Sequence, residues 1–426
     1  MTTKNFIKTR ILSGYLWRVM GDAILTLVIW GCGAVPQLKE GTETIHVRLP
    51  FVRVLLASSA QEIEIGSNGS FALECRRGGR NTVYYSSQSL TVNQDRGLLV
   101  VRTRKGRLGE RFEEILVSPR GGRNYLEYNS RRYRGLFRIF PSGMNLRLVN
   151  IVYMEDYLKG VVPPEIGKVT EEDFEAIKAQ AVAARTYSLR YLSQYPNEPY
   201  DLKSDVADQL YEGVEAEIPL ISKAVEETRG YVIKFEDSLI NAYYHSTCGG
   251  YTDDIDEVWD KPSAPYLRAV NDSGACRWSK YYRWQESFTP EQLKMRLEQY
   301  LSADRGKDIE IGEITGIEIT ERTAGGRVYD ILVKTDGRDY RFGKDKVRWV
   351  FKRASNPALI LQSARFDVNP QYNSAGKLIR VDLEGGGYGH GVGMCQCGAI
   401  GMARSGKKFD QILVTYYRHT KLVKLY

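Results

Sequence analysis

One glutamate of this sequence stands in strongly apolar surroundings. Glu165 lies in the segment VVPPEIG, residues 161–167, between two prolines and an isoleucine. A carboxyl group in a low-dielectric environment keeps its proton to a higher pH than an exposed one. A carboxylic acid that is still protonated near neutral pH can donate this proton to a leaving group. Glu165 is therefore a candidate general acid.

Three other segments gather side chains that can bind ligands. Residues 205–213, DVADQLYEG, offer hydrogen-bonding groups such as Gln209 and Tyr211, although a capped turn is the alternative. Residues 245–259, HSTCGGYTDDIDEVW, follow an apolar strand. Residues 385–399, GGGYGHGVGMCQCGA, fit neither the G-x-G-x-x-G dinucleotide fingerprint nor a phosphate loop. Their glycines indicate that the backbone approaches a ligand or a neighbouring chain closely there.

The cysteines in and near these segments predict a metal site. The candidate ligands are His245, Cys248, Cys276 and Cys395, with Cys397 as an alternative ligand. His245-x-x-Cys248 has a spacing compatible with zinc, and thiolates with an imidazole favour a tetrahedral structural zinc site. A disulfide, for example between Cys248 and Cys276, and free thiols stay open as alternatives. A Cys/His nucleophilic pair is disfavoured because no oxyanion-hole motif accompanies it.

Strands and helices are interspersed around these segments. Met154 opens a helical pattern that PPEIG interrupts, and Thr170 then caps a long alanine-rich helix. A further helix begins after Thr289. Period-two patterns predict a mostly antiparallel N-terminal sheet with strands at residues 44–56, 62–75, 89–103 and 133–140. Since no regular βαβ rhythm is present, the prediction is an α+β fold with mixed, largely antiparallel sheets.

The first residues resemble an export signal. Basic residues precede the apolar run 23–30, which is too short to span a bilayer as a stable helix and suits the central region of a signal peptide. The run ends in IWGC, which resembles a lipobox and makes Cys32 a candidate lipid anchor. An ordinary signal peptide or an uncleaved anchor is the alternative. The expected location is extracytoplasmic, in the periplasm or cell envelope, with membrane contact only through this anchor.

Composition excludes some classes of function. The chain has 426 residues and 42% hydrophobic content, enough for a real core and for two domains or one domain with large insertions. Its net charge of +8 arises in a chain where both signs are common. No nucleic-acid-binding module is visible, so no nucleic-acid partner is expected.

Taken together, the motifs resemble those of the SpoIID/LytB family. The segment EDYLKGVVPPEIG and the following EAIKAQAVAARTYSL are similar to its glutamate segment and adjoining helix. DQLYEG, HSTCGGYT and GYGHGVGMCQCGA are similar to three further signatures, in the same order along the chain. The resemblance extends from about Ile45 to the C-terminus. It implies a peptidoglycan-processing protein, with Glu165 at the position of the catalytic glutamate of the family.

The resemblance implies two candidate functions. The first is a lytic transglycosylase that cleaves peptidoglycan glycan strands stripped of peptides, with one glutamate as acid and then as base. The second is a non-catalytic binder that enhances a cell-wall amidase or another wall hydrolase. A hydrolase would normally need a second carboxylate, for which Asp205 and Asp208 are candidates. A zinc hydrolase is disfavoured because cysteine-rich zinc sites are usually closed.

Further site residues follow from the same comparison of motifs. The residues expected to hold the sugar or to orient Glu165 are Arg185, Gln209, Tyr211 and His390, with structural hydrogen bonding as the alternative for each. The cysteines are a departure from the family, since Cys248 and Cys395 stand at serine positions and Cys397 at a tyrosine position. The predicted organisation is an export segment at 1–32, a tether at 33–43, a β-rich region at 44–145 and a SpoIID-like catalytic region at 146–426 with a β-rich insertion around 285–375.

Overall fold

The computed structural model describes residues 50–426 except residues 105, 123, 193 and 206. The predicted export segment, with Cys32, and the predicted tether lie outside the described residues. Within the described part of the chain, no helix is both long enough and apolar enough to cross a membrane. The chain has 24% helix and 38% strand in several mostly antiparallel sheets, which confirms the predicted α+β class.

Alternating apolar residues build the N-terminal part from strands. Residues such as Val52 and Val54 point into the core while their neighbours are more exposed. The strands are β1 Phe51–Ala60, β2 Glu62–Ser67, β3 Phe71–Arg77, β4 Arg80–Ser86, β5 Leu90–Asp95, β6 Leu98–Thr103, β7 Gly106–Phe112, β8 Glu114–Pro119, β9 Leu126–Tyr128, β10 Arg131–Tyr133, β11 Leu136–Ser142, β12 Asn145–Tyr153 and β13 Leu202–Lys203. They form a seven-stranded sheet, in the order β13-β1-β12-β11-β8-β3-β4, and a six-stranded sheet, in the order β10-β9-β2-β5-β6-β7.

Two helices follow β12, and the first of them carries Glu165. Helix α1 spans Met154–Ile166 and α2 spans Phe174–Arg190. Thr170, predicted as a helix cap, forms a capping box with Asp173 ahead of α2, at the short 3-10 turn Glu171–Asp173. The alanines of α2 are buried, and their small side chains let neighbouring elements pack closely on this helix.

Helix α1 continues through Pro163 and Pro164, which corrects the expectation that PPEIG interrupts it. A proline within a helix removes a backbone hydrogen bond and leaves a carbonyl oxygen without its donor. Here the backbone N–H of Glu212 donates to the carbonyl oxygen of Gly160 at 3.2 Å, which supplies a donor from the 205–213 loop. The final turn is therefore tolerated, and it carries Glu165.

The remaining elements alternate between short strands and helices. The helices are α3 Pro219–Glu227, α4 Ile255–Val258, α5 Pro290–Arg305, α6 Val347–Phe351, α7 Gln396–Arg404 and α8 Phe409–Tyr416, with 3-10 turns at Gly213–Ala216 and Lys344–Lys346. The strands are β14 Tyr231–Phe235, β15 Ser238–Leu239, β16 Tyr244–His245, β17 Trp284–Phe288, β18 Ile314–Arg322, β19 Val328–Thr335, β20 Tyr340–Gly343, β21 Phe366–Tyr372, β22 Leu378–Gly385, β23 Met394–Cys395 and β24 Lys421–Lys424. Thr289 caps α5 through its side chain, as predicted.

The described residues pack around two main cores. The larger core joins the N-terminal sheets to the helices α1 and α2 and to the cysteine-bearing segments. The second core lies within the residue range 284–383, where two three-stranded sheets, β17-β22-β21 and β18-β19-β20, pack with α5 and α6. We call this second unit the inserted unit. The domain boundaries given above stay predictions.

Candidate active site

The Glu165 carboxyl group lies where three of the sequence motifs meet. Its Oε1 accepts a hydrogen bond from the backbone N–H of Leu210, in the 205–213 loop, at 3.0 Å. Its backbone carbonyl oxygen accepts a hydrogen bond from Nε2 of Gln396, in the glycine-rich motif, at 3.0 Å. Gly160 allows the loop to approach α1, because a Cβ atom there would lie 2.8 Å from the Tyr211 ring. The fold therefore holds Glu165 from two sides.

Burial raises the pKa of the Glu165 carboxyl group, and the hydrogen bond from Leu210 acts in the opposite direction. Glu165 also lies in the last turn of α1, a turn without any basic residue. The partial negative charge at the C-terminal end of a helix disfavours a further negative charge. The position thus favours the protonated form that a general acid needs.

Glu165 opens into a cleft of about 480 Å³. Six aromatic side chains line it, namely Tyr187, Tyr191, Tyr195, Tyr243, Tyr244 and Trp259. Lys261 also lines the cleft, and its Nζ donates to the hydroxyl of Tyr243 at 2.7 Å. Aromatic faces provide apolar area together with polar hydroxyl groups, a combination that suits a sugar ring.

The other carboxylate of this cleft is engaged in structural hydrogen bonds. Asp208 accepts from Nε2 of Gln194 at 2.9 Å, from the backbone N–H of Lys203 at 2.8 Å and from the hydroxyl of Tyr195 at 3.3 Å. Asp205 accepts from the backbone N–H of Ala207 within its own turn. Glu165 is thus the cleft carboxyl group whose side chain is least engaged.

His390 lines the cleft, as expected of a site residue, but both of its nitrogens are occupied. The backbone N–H of Val392 donates to Nδ1 at 3.1 Å, so Nε2 carries the proton and donates to the carbonyl oxygen of Tyr244 at 2.9 Å. Burial, with a nearby Arg348 charge, lowers the pKa of His390 to about 3. His390 is therefore neutral and fixes the cleft wall, where its ring lies 4.8 Å from that of Trp259.

Gln209 and Tyr211 lie behind the cleft wall. Gln209 is 1% exposed, accepts from the hydroxyl of Ser188 at 2.7 Å and donates to the hydroxyl of Tyr244 at 2.9 Å. Tyr211 is 3% exposed and donates to Oδ1 of Asn150 at 2.9 Å. These contacts favour the alternative interpretation, in which both side chains hold the loop in place and do not touch sugar.

Arg185 is buried in a separate network. Its Nε and Nη2 donate to the carboxylate of Glu155 at 2.9 and 2.6 Å. Nη1 and Nη2 also donate to the carbonyl oxygens of Tyr231 and Val225, both at 3.2 Å. Arg185 is 0% exposed and does not line the cleft. Every nitrogen of the Arg185 guanidinium group has a protein partner. This corrects the expectation that Arg185 contacts the sugar.

Several cleft residues were missed by the sequence analysis. Tyr187 lies in the last turn of α2, Tyr191 follows four residues later as the C-cap residue, and their ring centroids lie 4.6 Å apart. This spacing of aromatic residues is a signal that could have revealed them. Trp259 ends the quoted HSTCGG segment, so its position in a motif was also available. Lys261 has no comparable signal.

Three predicted metal ligands lie together with an aspartate that was not predicted. Ligand atoms of Cys248, Asp272, Cys276 and Cys395 all lie within 4.8 Å of one another, and the four residues are buried. The parallel pairing of β16 with β23 brings the HSTC and GMCQC segments side by side. Sγ of Cys248 lies 3.5 Å from Sγ of Cys276 and 3.1 Å from Oδ2 of Asp272. Asp272 begins the DSGAC segment, which was considered only for its cysteine.

His245 and Cys397 are outside this cluster. The Nδ1 of His245 donates to the carbonyl oxygen of Val392 at 3.2 Å, and its Nε2 has no hydrogen-bond partner among the described residues. Cys397 is partly exposed. The predicted ligand set is therefore corrected, because Asp272 occupies the place that was assigned to His245.

A larger pocket, of about 720 Å³, lies on the inserted unit. Arg283, Arg322 and Arg365 are among its lining residues. None of the predicted site residues lines it. We therefore place the candidate active site in the smaller cleft, where Glu165 and the motif segments converge.

Comparisons with known proteins agree with this assignment of motifs. Residues 142–235 match the family described as stage II sporulation protein (SpoIID), and residues 275–393 match a domain of unknown function, DUF8618. The first match includes Glu165 and the 205–213 loop. The second includes the whole inserted unit.

Three relatives each align with more than half of the chain. An uncharacterized protein of Brachyspira hyodysenteriae is 29% identical over 344 residues, which is 80% of this chain and 85% of the relative. Stage II sporulation protein D of Bacillus subtilis is 28% identical over 289 residues, or 64% of this chain and 75% of the relative. The amidase enhancer of Bacillus subtilis is 31% identical over 299 residues, or 62% of this chain but 40% of the relative. The resemblance to the SpoIID/LytB family that the motifs indicate is thus confirmed.

Proposed function

We propose that this protein is a lytic transglycosylase that cleaves the glycan strands of peptidoglycan. The SpoIID match and the similarity to an amidase enhancer support a role at the cell wall. The single observation that carries the enzymatic proposal is the Glu165 carboxyl group, which has a raised pKa and opens into an aromatic cleft. The other cleft carboxylate, Asp208, is engaged by three donors. Glu165 is therefore the carboxyl group of the cleft that is available for catalysis, and a lytic transglycosylase needs only one such group.

In the proposed reaction Glu165 acts first as an acid and then as a base. It donates its proton to the glycosidic oxygen, and the bond between this oxygen and the anomeric carbon of the muramic residue breaks. The resulting carboxylate then accepts the proton of the 6-hydroxyl group of the same muramic residue while that oxygen bonds to the anomeric carbon. The product is a 1,6-anhydro end. Glu165 is protonated again and no water is consumed.

The cleft supplies contacts for the sugar rings. Tyr191 and Tyr243 share a hydrogen bond of 2.6 Å between their hydroxyls, which fixes both rings in the wall. Lys261 makes no ion pair among the described residues and lies 5.0 Å from the centroid of the Trp259 ring. A peptide-free muramic residue carries a lactyl carboxylate, for which this ammonium group is a suitable partner.

The test is the Glu165→Gln variant with purified peptide-free strands. Glutamine keeps the shape but cannot transfer the proton, so turnover should fall by about 10²- to 10⁴-fold while strand binding is retained. The matched control is Glu212→Gln on the 205–213 loop that contacts Glu165, where the side chain is 42% exposed and should be dispensable. Mass spectrometry distinguishes 1,6-anhydro ends from the reducing ends that hydrolysis would leave. Near-normal release of anhydro ends by the Glu165 variant would refute the assignment.

A second candidate function is that of a non-catalytic amidase enhancer. The observation in its favour is the 31% identity to a protein of this name. In this case the cleft binds glycan without cleaving it, and the wild type and the Glu165→Gln variant should stimulate a partner amidase equally. Assay of both variants with and without a cell-wall amidase separates the two functions.

We also propose that the cluster of Cys248, Asp272, Cys276 and Cys395 holds a structural zinc ion. Three sulfurs and one carboxylate oxygen match the usual zinc ligands, and buried charges of this kind need a metal or other partners. The backbone N–H groups of Gly250 and Gly398 donate to the sulfurs of Cys248 and Cys395 at 3.3 and 3.2 Å. Bound zinc would tie together the segments around these residues. A disulfide between Cys248 and Cys276 is the alternative.

Finally, we propose export and lipid attachment through Cys32. The support is the sequence alone, a basic flank followed by a short apolar run that ends in IWGC. Export would place the protein on the same side of the membrane as its proposed substrate.

A further inference from the structure

The cleft at Glu165 shares one lining residue with a second depression, which lies between residues 258–260 and the inserted unit. Trp259 lines the cleft, and it also lines a depression of about 440 Å³ together with Tyr329 and Trp349. One tryptophan therefore faces both. We call the second depression the distal groove.

The contacts of Lys344 hold the distal groove in place beside Trp259. Its Nζ donates to the carbonyl oxygens of Asp256 and Trp259 at 2.9 and 3.4 Å and pairs with Asp260 at 2.8 Å. Lys344 lies in the 3-10 turn that precedes α6, the helix that bears Trp349. The inserted unit is thus attached to the segment that carries Trp259, and the two depressions share the side chain of this tryptophan as a lining residue.

The chemistry of the distal groove suits a sugar polymer. Trp349 is 54% exposed, an unusual exposure for so large an apolar side chain. Each carboxylate that lines the groove has a cationic partner, in the pairs Asp260–Lys344, Asp330–Arg341 and Asp345–Arg348. Lys346 is the lining cation that makes no ion pair among the described residues. A surface with an exposed tryptophan and mostly paired charges favours a ligand that is rich in hydroxyl and amide groups over a strongly charged one.

We propose that the distal groove is a second sugar-binding subsite that holds the same glycan strand as the cleft. This inference rests on the proposed function, and it assigns a role to the segment that matches a domain of unknown function. The strand would pass from Glu165 over Trp259 to Trp349. Long strands should then bind more tightly than short oligosaccharides, because only they reach both aromatic surfaces.

The test compares Trp349→Ala with Tyr372→Ala, whose tyrosine is 47% exposed on the same inserted unit but does not line the groove. Both changes are made in the Glu165→Gln background, so that binding is measured without cleavage. The ligands are a peptide-free tetrasaccharide and long peptide-free strands, measured by calorimetry or affinity electrophoresis. Circular dichroism checks that the variants are folded.

Trp349→Ala should weaken binding of long strands by about tenfold, because it removes one large aromatic contact from the binding surface. Binding of the tetrasaccharide should be unchanged, and Tyr372→Ala should match its parent with both ligands. Equal affinity of Trp349→Ala and its parent for long strands would overturn the inference, even if the wild type cleaves glycan. If the wild type cleaves nothing but the Trp349 effect is observed, the groove stands and the catalytic proposal fails.

Discussion

The backbone N–H of Leu210 donates a hydrogen bond to Oε1 of Glu165 at 3.0 Å. This contact joins the loop that follows α2 to the last turn of α1. It fixes the direction of the carboxyl group, and it partly offsets the effect of burial on the pKa of Glu165. The ionised form is therefore disfavoured without being excluded, as a group that alternates between acid and base requires.

The raised pKa of Glu165 predicts a pH-dependent gain in stability for Glu165→Gln. Because the pKa is higher in the folded state, the folded protein binds more protons than the unfolded chain between the two pKa values. The free energy of unfolding therefore falls as pH rises through the pKa that Glu165 has in the folded state, because the buried carboxyl group then ionises. Glutamine removes this cost, so the variant should melt at a higher temperature than wild type at neutral pH. The difference should vanish in acid, as thermal unfolding over a pH series would show.

The same ionisation should control turnover. Activity on glycan strands should decline as pH rises above the pKa of Glu165, since the first step requires the protonated acid. Glu212→Gln should leave this profile unchanged. A rate that increases with pH over the same range would contradict the role of Glu165 as the initial acid.

Much of the fold could be predicted because its signals are local. The capping boxes at Thr170 and Thr289 mark the starts of two helical segments, and alternating apolar residues mark the N-terminal strands. The continuation of α1 through Pro163 could not be predicted in this way. Pro164 removes the helical donor to the carbonyl oxygen of Gly160, and the backbone N–H of Glu212, which only the tertiary fold brings there, donates to this oxygen instead.

The candidate site was predictable where a motif was long and less so where distant segments meet. Glu165 and three of the cysteines were identified from their segments. Asp272 was missed because an aspartate among so many surface acids has no distinguishing pattern. Arg185 was expected to contact the sugar. The sequence around it does not reveal that α1 places Glu155 beside its guanidinium group.

Arg185 and Glu155 form a buried ion pair whose disruption should be costly. Arg185→Met leaves the Glu155 carboxylate buried without its cation, and should lower the free energy of unfolding by about 3–5 kcal/mol. The double variant with Glu155→Gln should recover part of this loss. Arg229→Met, which breaks an exposed pair with Glu226, should cost only about 0–1 kcal/mol. Urea unfolding of the four proteins provides the measurement, and equal losses for Arg185 and Arg229 would contradict this account.

Lipid attachment through Cys32 can be tested in cells. A clickable palmitate analogue should label the wild type but not Cys32→Ser, because the thiol is the proposed acceptor. Cys75→Ser, which alters a buried cysteine of the β3 strand, should be labelled as the wild type is. Equal labelling of wild type and Cys32→Ser would refute the anchor, and fractionation would then show whether the protein is exported without it.

The cysteine cluster should bind zinc and stabilise the fold without taking part in the sugar chemistry. Purified protein should contain zinc by elemental analysis, and Cys248→Ser or Asp272→Asn should lose it, because each removes one of four ligand atoms. Cys75→Ser and Cys397→Ser should retain the metal, since neither residue belongs to the cluster. A chelator should lower the melting temperature of wild type, while Cys248→Ser should lose more stability than turnover per folded molecule.

The alternative to zinc is a disulfide between two sulfurs of the cluster. The sulfurs of Cys248 and Cys276 are 3.5 Å apart, against about 2.05 Å in a disulfide, so a small movement could join them instead. Protein without zinc, in which mass spectrometry finds Cys248 linked to Cys276, would replace the metal with that disulfide.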